Sequence, residues 1–199
     1  MMEDAWMGCS QGVGSFSWSP SGGHLASGFY DGTILIQNAE SGQVEVDPIE
    51  MKQRVVYCLA YSPSGERLAS GGDNDTICIW NIRTGELLVG SIEDLGRGVT
   101  PVVWSSDSSR LYSTSNECAR IIDSVSGTQL RCFKYDNWLY SVALSTGKNM
   151  LACVGDNGVA QLWGTRVHQP LGQPFGEQKG RQLNCVILPR RQIPSIWRR

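Results

Sequence analysis

Histidine is nearly absent from this 199-residue chain, which has two, His24 and His168. That scarcity all but excludes Ser-His-Asp and Cys-His nucleophilic sites, which need an imidazole beside the nucleophile. Long apolar runs are missing as well. The longest, Val55 to Tyr61, has seven residues, against about 20 for a membrane-crossing helix. The opening MMEDAWMGCSQGVG has neither a basic start nor an apolar block, so no secretory signal is expected. Charge is sparse at 18% and nearly balanced, with 17 Lys plus Arg, 19 Asp plus Glu and a net charge of −2. No global field therefore recruits nucleic acid or an anionic membrane. No GxxxxGK[ST] phosphate loop occurs, and Gly12-Val13-Gly14 precedes a strand pattern rather than a helix.

Seven cysteines are present: Cys9, Cys58, Cys78, Cys118, Cys132, Cys153 and Cys185. None is spaced as CxxC, so the short ligand intervals of a tetrahedral zinc site are lacking. The expectation is reduced, mostly buried thiols in a cytoplasmic or nuclear protein. Asp73-Asn74-Asp75 starts like a calcium loop but lacks the rest of the ligand pattern, and is assigned to a turn. His24 and His168 are expected at the surface. No cofactor, metal or catalytic constellation is expected, and the chain is read as non-enzymatic.

What the chain does contain is a repeat. VGSFSWSPSGGHLASGFYDGTILIQN begins at Val13, VYCLAYSPSGERLASGGDNDTICIWN at Val56 and VTPVVWSSDSSRLYSTSNECARIIDS at Val99, each 43 residues after the last. LYSVALSTGKNMLACVGDNGVAQLWG follows at Leu139, 40 residues on, and a fifth start, LNCVILP, at Leu183. Trp18, Tyr61, Trp104, Leu144 and Leu188 share one column, and Leu25, Leu68, Leu111 and Leu151 another. Each copy ends on an apolar residue, Ile36, Ile79, Ile122 or Leu162, and a dipeptide: Gln37-Asn38, Trp80-Asn81, Asp123-Ser124 or Trp163-Gly164.

Within each copy the apolar period is two, that of strands. In copy two, Val56 to Tyr61 is apolar on both faces and is expected to be buried on both. Ser62-Pro63-Ser64-Gly65 supplies a turn in which Pro sets φ and Gly accepts the left-handed conformation. Strands then follow at Arg67 to Gly71, Thr76 to Asn81 and Leu87 to Ile92. Four short strands every 40 to 45 residues form the pattern of a β-propeller blade.

The segments WSPSGGHLASGFYDGTI, YSPSGERLASGGDNDTICIWN and VGDNGVAQLW resemble those of WD-repeat proteins over residues 13 to 188, and in diction the arrays of fungal NACHT/WD-repeat-type proteins. The resemblance implies an all-β fold: a β-propeller of WD-repeat type with about four four-stranded antiparallel blades plus a fifth inner strand, in an incomplete ring. Residues 1–12 form an extension, 13–188 the propeller segment and 189–199 a basic tail. From Glu177 onward there are six Lys/Arg and one acid; the tail is read as a terminus outside the repeat. Trp80 and Trp163 are expected in the core.

Departures from the family pattern are specific. The Gly-His pair before each inner strand is replaced by Met51-Lys52, Asp94-Leu95, Lys134-Tyr135 and Gln178-Lys179. In the family that His, a strand Ser, a turn Asp and the Trp form a hydrogen-bonded lock. The turn Asp column here is Asp31, Asn74, Glu117 and Asn157, so a marginal fold held by packing is expected. Three accounts fit the blade count: a piece of a longer chain, two chains completing a ring of about eight blades as a homodimer, or an open array or small closed ring.

The resemblance places a binding face on the loops before each inner strand and between second and third strands. Those columns hold Arg54, Arg97, Asn137 and Arg181, with Trp138, and Tyr30, Asp73, Asn116 and Asp156. Arg, Tyr, Trp and acids are residues that interfaces use for anchoring and steering. The expected function is a non-catalytic protein–protein interaction scaffold, with other proteins or domains as partners and neither nucleic acid nor membrane. Two alternatives stand beside it. One is the ligand-sensing C-terminal part of a larger NTPase-containing signalling protein. The other is a ubiquitin-ligase substrate receptor, because Trp80-Asn81-Ile82-Arg83 and Trp163-Gly164-Thr165-Arg166 are similar to a W-D-x-R box.

Overall fold

The computed structural model describes residues 12–51, 55–72, 76–92, 101–115, 118–135, 138–145, 147, 150–155, 160–166 and 169–172. Blade 1 comprises β1 (Val13–Trp18), β2 (His24–Phe29), β3 (Thr33–Asn38) and β4 (Ile49–Glu50). Blade 2 comprises β5 (Val56–Tyr61), β6 (Arg67–Gly72), β7 (Ile77–Asn81) and β8 (Leu87–Ile92). Blade 3 holds β9 (Val102–Trp104), β10 (Arg110–Ser115), β11 (Cys118–Asp123) and β12 (Gln129–Lys134); blade 4 holds β13 (Leu139–Leu144), β14 (Met150–Gly155) and β15 (Ala160–Gly164). Each is an antiparallel meander, and a single bridge between Trp163 and Pro170 starts the outer strand of blade 4. The four sheets form a four-blade propeller arrangement, with no helix among the described residues. The expected fifth inner strand, residues 1–11 of the extension and the basic tail lie outside the described residues.

The blades repeat down to single hydrogen bonds. In the first turn of each, one serine hydroxyl accepts the N–H that opens the next strand: Ser19 from His24 at 3.0 Å, Ser62 from Arg67 at 3.0 Å, Ser105 from Arg110 at 2.9 Å and Ser145 from Met150 at 3.2 Å. Gly22 and Gly65 hold φ of 75° and 76° there, and copy three places Ser108 in that column at φ 58°, the left-handed region that disfavours a Cβ.

At the neighbouring hairpin, which follows the third strand at the same end of the blade, the second residue of the terminal dipeptide caps the turn through its side chain. Asn38 Oδ1 accepts from Glu40 and Ser41, Asn81 Oδ1 from Arg83, and Asp123 Oδ1 from Val125 and Ser126, all between 2.8 and 3.1 Å. Strand register makes Asp123 the counterpart of Asn38 and Asn81. Leu111 pairs with Ile122 where Leu68 pairs with Trp80. The third dipeptide is therefore Ile122-Asp123, one residue earlier than the columns suggested, because the β10–β11 connection is one residue shorter. Copy three has kept the acid.

Three apolar clusters carry the packing, and each straddles one junction between blades. Ala26, Ile34 and Ile36 meet Val56, Leu59, Tyr61, Leu68 and Trp80. Ala69, Ile77 and Ile79 meet Val102, Trp104, Leu111 and Ile122. Tyr112, Ala119 and Ile121 meet Leu139, Val142 and Leu151. Polar links cross the same junctions. Ser15 and Ser17 Oγ accept the N–H groups of Leu59 and Tyr61 at 3.0 and 3.1 Å, and Trp104 Nε1 donates to the Ala60 carbonyl at 2.9 Å.

The family lock survives in altered form. Trp80 Nε1 donates to Ser70 Oγ at 2.8 Å inside the core. Ser27, Ser70, Ser113 and Cys153 share that column and are all buried. In blade 4, Trp163 Nε1 donates to the hydroxyl of Tyr135, which stands where the family has its His. Burial beside Cys153 raises the Tyr135 hydroxyl far above the ordinary tyrosine range, so it is a neutral acceptor for the indole.

The thiol expectation is half met. Cys58, Cys78 and Cys153 are buried thiols outside any disulfide, but Cys118 and Cys132 form a disulfide across β11 and β12 with Cα atoms 6.0 Å apart. Adjacent strands bring the two together although 14 residues separate them in sequence. Alkylation without reduction, followed by trypsin, is expected to yield peptide Leu111–Arg120 linked to Cys132–Lys134. Two separately alkylated peptides are the contrary result.

Arg67 clamps blade 2 to blade 3. Its guanidinium donates to the Ser108 carbonyl at 2.9 Å and to the Ser124 carbonyl and hydroxyl at 3.2 and 3.3 Å, and lies 5.3 Å from the centre of the Trp104 ring. Hydrogen bonds to charged groups contribute roughly 1.5–3 kcal/mol. Arg67→Met is expected to lower unfolding free energy by about 2 kcal/mol in urea titrations. Arg67→Lys should recover less than half, since an ammonium lacks the planar fork.

Candidate functional site

Each inner strand begins at the end of its blade where the second strand stops: Val13 pairs with Phe29, Val56 with Gly72 and Leu139 with Gly155. The loops singled out from sequence are joined to these strand ends. Of the nine residues assigned to it, the structure describes Tyr30 and Trp138. Arg54, Asp73, Arg97, Asn116, Asn137, Asp156 and Arg181 lie outside the described residues.

Tyr30 and Trp138 are both about half exposed, at 51% and 47%. Tyr30 is held at the mouth of blade 1 by its N–H, which donates to the Gly12 carbonyl at 2.9 Å. Its ring lies over Gly12 and Gly14, where an added Cβ would come within 3.2 and 3.0 Å of ring carbons. Asp31 Oδ1 accepts the Thr33 N–H at 2.9 Å and turns the chain behind it. Trp138 directly precedes β13, with its carbonyl against Gly155 so closely that a Cβ there would sit 2.2 Å away.

Two further aromatics join this end, Tyr57 at 48% exposure and Tyr140 at 45%. The alternation of Val56 to Tyr61 implied burial on both faces. Register instead skips Tyr57 between Val56 and Cys58, and Tyr140 between Leu139 and Ser141. A bulge inserts one unpaired residue and re-aims its side chain, so both tyrosines leave the packed faces. In blade 1 the skipped residue is Gly14. The Tyr30 ring occupies the space a side chain would need, and Gly14 abuts the Val56 carbonyl. The Tyr30 ring and the Val56 carbonyl, one residue before Tyr57, thus both close on Gly14. The signal in sequence is the repeated column Gly14, Tyr57 and Tyr140, an aromatic that breaks the period of two.

The described chemistry is that of contact. Among the described residues no group of three or more His, Cys, Asp or Glu side chains could hold a metal ion. Burial pushes the Cys58 thiol up to about 12 and raises that of Cys78, so neither is a thiolate at neutral pH. His24 Nε2 lies 2.7 Å from Glu45 Oε2, at the other end of the blade. The Glu45 carboxyl is lowered by the Asn38 amide first and by His24 after it. His168 lies outside the described residues; Arg83 and Arg166 are exposed beyond the third strands. Trp80 is core at 8% exposure, and Trp163 is partly buried.

This geometry defines the class: a β-propeller whose loops present side chains at one end. The family model described as WD domain, G-beta repeat matches residues 5–37 and 50–81. The chain therefore carries WD40 repeats in its first two copies, within a four-blade propeller arrangement. No curated protein matches it.

Gly14 gives this site its most direct test. A Cβ there would lie 2.3 Å from the Val56 carbonyl oxygen and 3.0 Å from the Tyr30 ring. Gly14→Ala is expected to cost more than about 2 kcal/mol, in the range of severe packing conflicts. Gly90→Ala, with nothing within 4 Å, should change thermal stability by less than about 0.5 kcal/mol. Equal effects would contradict the close packing of Tyr30.

Proposed function

We propose that the chain is a protein-interaction scaffold without catalysis of its own, binding partners through the loop end of its blades. Propellers of WD40 repeats generally mediate protein–protein interaction. The observation that carries the reading here is the set of half-exposed aromatics Tyr30, Tyr57, Trp138 and Tyr140 at one end of a rigid frame. Aromatic side chains fixed on packed strands give large contact area at low entropic cost, and they dominate interface energetics. The proposal also takes Arg54, Asp73, Arg97, Asn116, Asn137, Asp156 and Arg181 as partner contacts, on their positions in the sequence repeat alone. The partners are other protein chains, a second copy among them. A net charge of −2 offers little to nucleic acid or an anionic membrane. We place the scaffold in the cytoplasm or nucleus; the buried thiols outside any disulfide favour this and the bonded Cys118–Cys132 pair weighs against it.

The test is quantitative affinity capture with three forms of the chain. The pairs Tyr30→Ser with Tyr57→Ser, and Trp138→Ser with Tyr140→Ser, are each expected to reduce retention of the wild-type partner set by tenfold or more. That corresponds to hot-spot losses of about 2 kcal/mol. Val125→Ser, 75% exposed in the β11–β12 turn at the opposite end, should leave retention unchanged. Retention unaffected by either aromatic pair would remove the proposal.

A further inference from the structure

The four described blades have three junctions between them, and the outer faces at the two ends of the described array are the remainder. The face of blade 1 that looks away from blade 2 carries Val13, Phe16 and Trp18, exposed to 52%, 66% and 53%. Their counterparts in blade 2 are Val56, Leu59 and Tyr61, exposed to 0%, 8% and 7% because blade 1 covers them. In blade 3 the same column holds Trp104 at 4%. An open groove of about 620 Å³, lined by Val13, Phe16 and Leu25 among others, runs along this face of blade 1. Large apolar side chains are thus built into a junction position and left uncovered.

We infer that this face receives blade 4 of a second copy of the chain, and that two copies close each other reciprocally into one eight-blade ring, four blades from each. The occupant is chosen by continuity with the junctions already present. At the first junction the hydroxyl of Ser15 accepts the N–H of Leu59, and at the second the carbonyl of Ala60 accepts Trp104 Nε1–H. One repeat earlier, the donors are Phe16 N–H and Trp18 Nε1–H. Blade 4 places Ser141 in the column of Ser15 and Ala143 in that of Ala60, so it offers the matching hydroxyl and carbonyl.

Volumes match as well. The face that blade 1 turns to blade 2 has Ile34 and Ile36 against Leu59 and Tyr61. Blade 4 carries Ala160 and Leu162 at those positions, both only partly buried. The smaller pair leaves room for Phe16 and Trp18, larger than the residues they replace. Close-packed interiors require such compensation across facing positions. A contact between unlike faces closes on itself when the rotation per blade divides the ring, and otherwise polymerises. Eight blades lie within the range that propellers adopt.

The inference rests on the part of the proposed function that counts a second copy among the partners; loop-end binding stands or falls separately. Light scattering on the purified full chain is expected to give twice 21.8 kDa at micromolar concentration. Phe16→Glu and Leu162→Glu should each give the single-chain mass with unchanged strand dichroism. Mixing the two variants leaves one junction intact, between blade 4 of the Phe16→Glu chain and blade 1 of the Leu162→Glu chain, while the other carries both substitutions; the intact junction should restore the two-chain mass. If Leu162→Glu loses its dichroism, Ala160→Glu takes its place. A single-chain mass for the wild type, a pair indifferent to Phe16→Glu, an assembly larger than two chains, or no recovery on mixing would each overturn the inference. None of these outcomes bears on the aromatic pairs tested by capture.

Discussion

A four-stranded sheet of this size has two apolar faces and cannot bury either alone. Every other feature of the structure follows from that constraint. The side chains that define a blade, Ala26, Ile34 and Ile36 in the first, share one apolar cluster with the next blade's Leu59, Tyr61 and Trp80. The core is therefore not one body but a series of junctions, each with its own apolar cluster and its own polar links. At roughly 25 cal/mol per Å² of buried apolar area, the junctions supply most of the stabilisation. The hydrogen bonds within them decide which blade may follow which.

Local chemistry prepares each sheet for that packing. The serine of the first turn and the Asn or Asp of the second satisfy backbone donors at the blade ends without help from neighbouring blades. These caps are more regular along the chain than the lock that defines the family. The lock is altered here: Gln37 and Ile122 stand in two of the four Trp positions, and blade 4 uses a tyrosine hydroxyl in place of imidazole. The propeller persists because an indole N–H needs an acceptor, not a particular one. Serine, tyrosine hydroxyl or a backbone carbonyl all serve for Trp80, Trp163 and Trp104.

Much of this was legible in the residues. The blade pattern, the turn serines and the strand limits of blade 2 follow from a period of two punctuated by Ser-Pro-Ser-Gly, and β5 and β8 fall where that pattern puts them. Three things were not. The third dipeptide was shifted by one residue, since a shortened hairpin slides a column without changing its apolar character, and only pairing register reveals it. Tyr57 and Tyr140 were hidden by the same alternation that identified their strands; a bulge changes which face a side chain takes without changing the sequence around it. The disulfide joins residues whose separation in sequence says nothing about adjacency across β11 and β12. Of the candidate site, Tyr30 and Trp138 stood out as loop aromatics, but their two partners required the backbone.

The bulge links the junctions to the loop end. An inner strand has to present one face to the preceding blade and the other to the following one, and an extra residue at its start cannot join either. In blades 2 and 4 that residue is a tyrosine directed outward. In blade 1 it is Gly14, whose missing side chain lets the Tyr30 ring settle onto the backbone beside Val56. The same irregularity that would spoil a plain sheet thus creates aromatic surface at one end of the array, anchored on the junctions between blades. Contact residues placed this way lose little freedom on binding, because their backbone is already fixed by the junction beneath them. Exposed aromatic surface at the loop end and cohesion between blades are in this sense consequences of one feature of the inner strands.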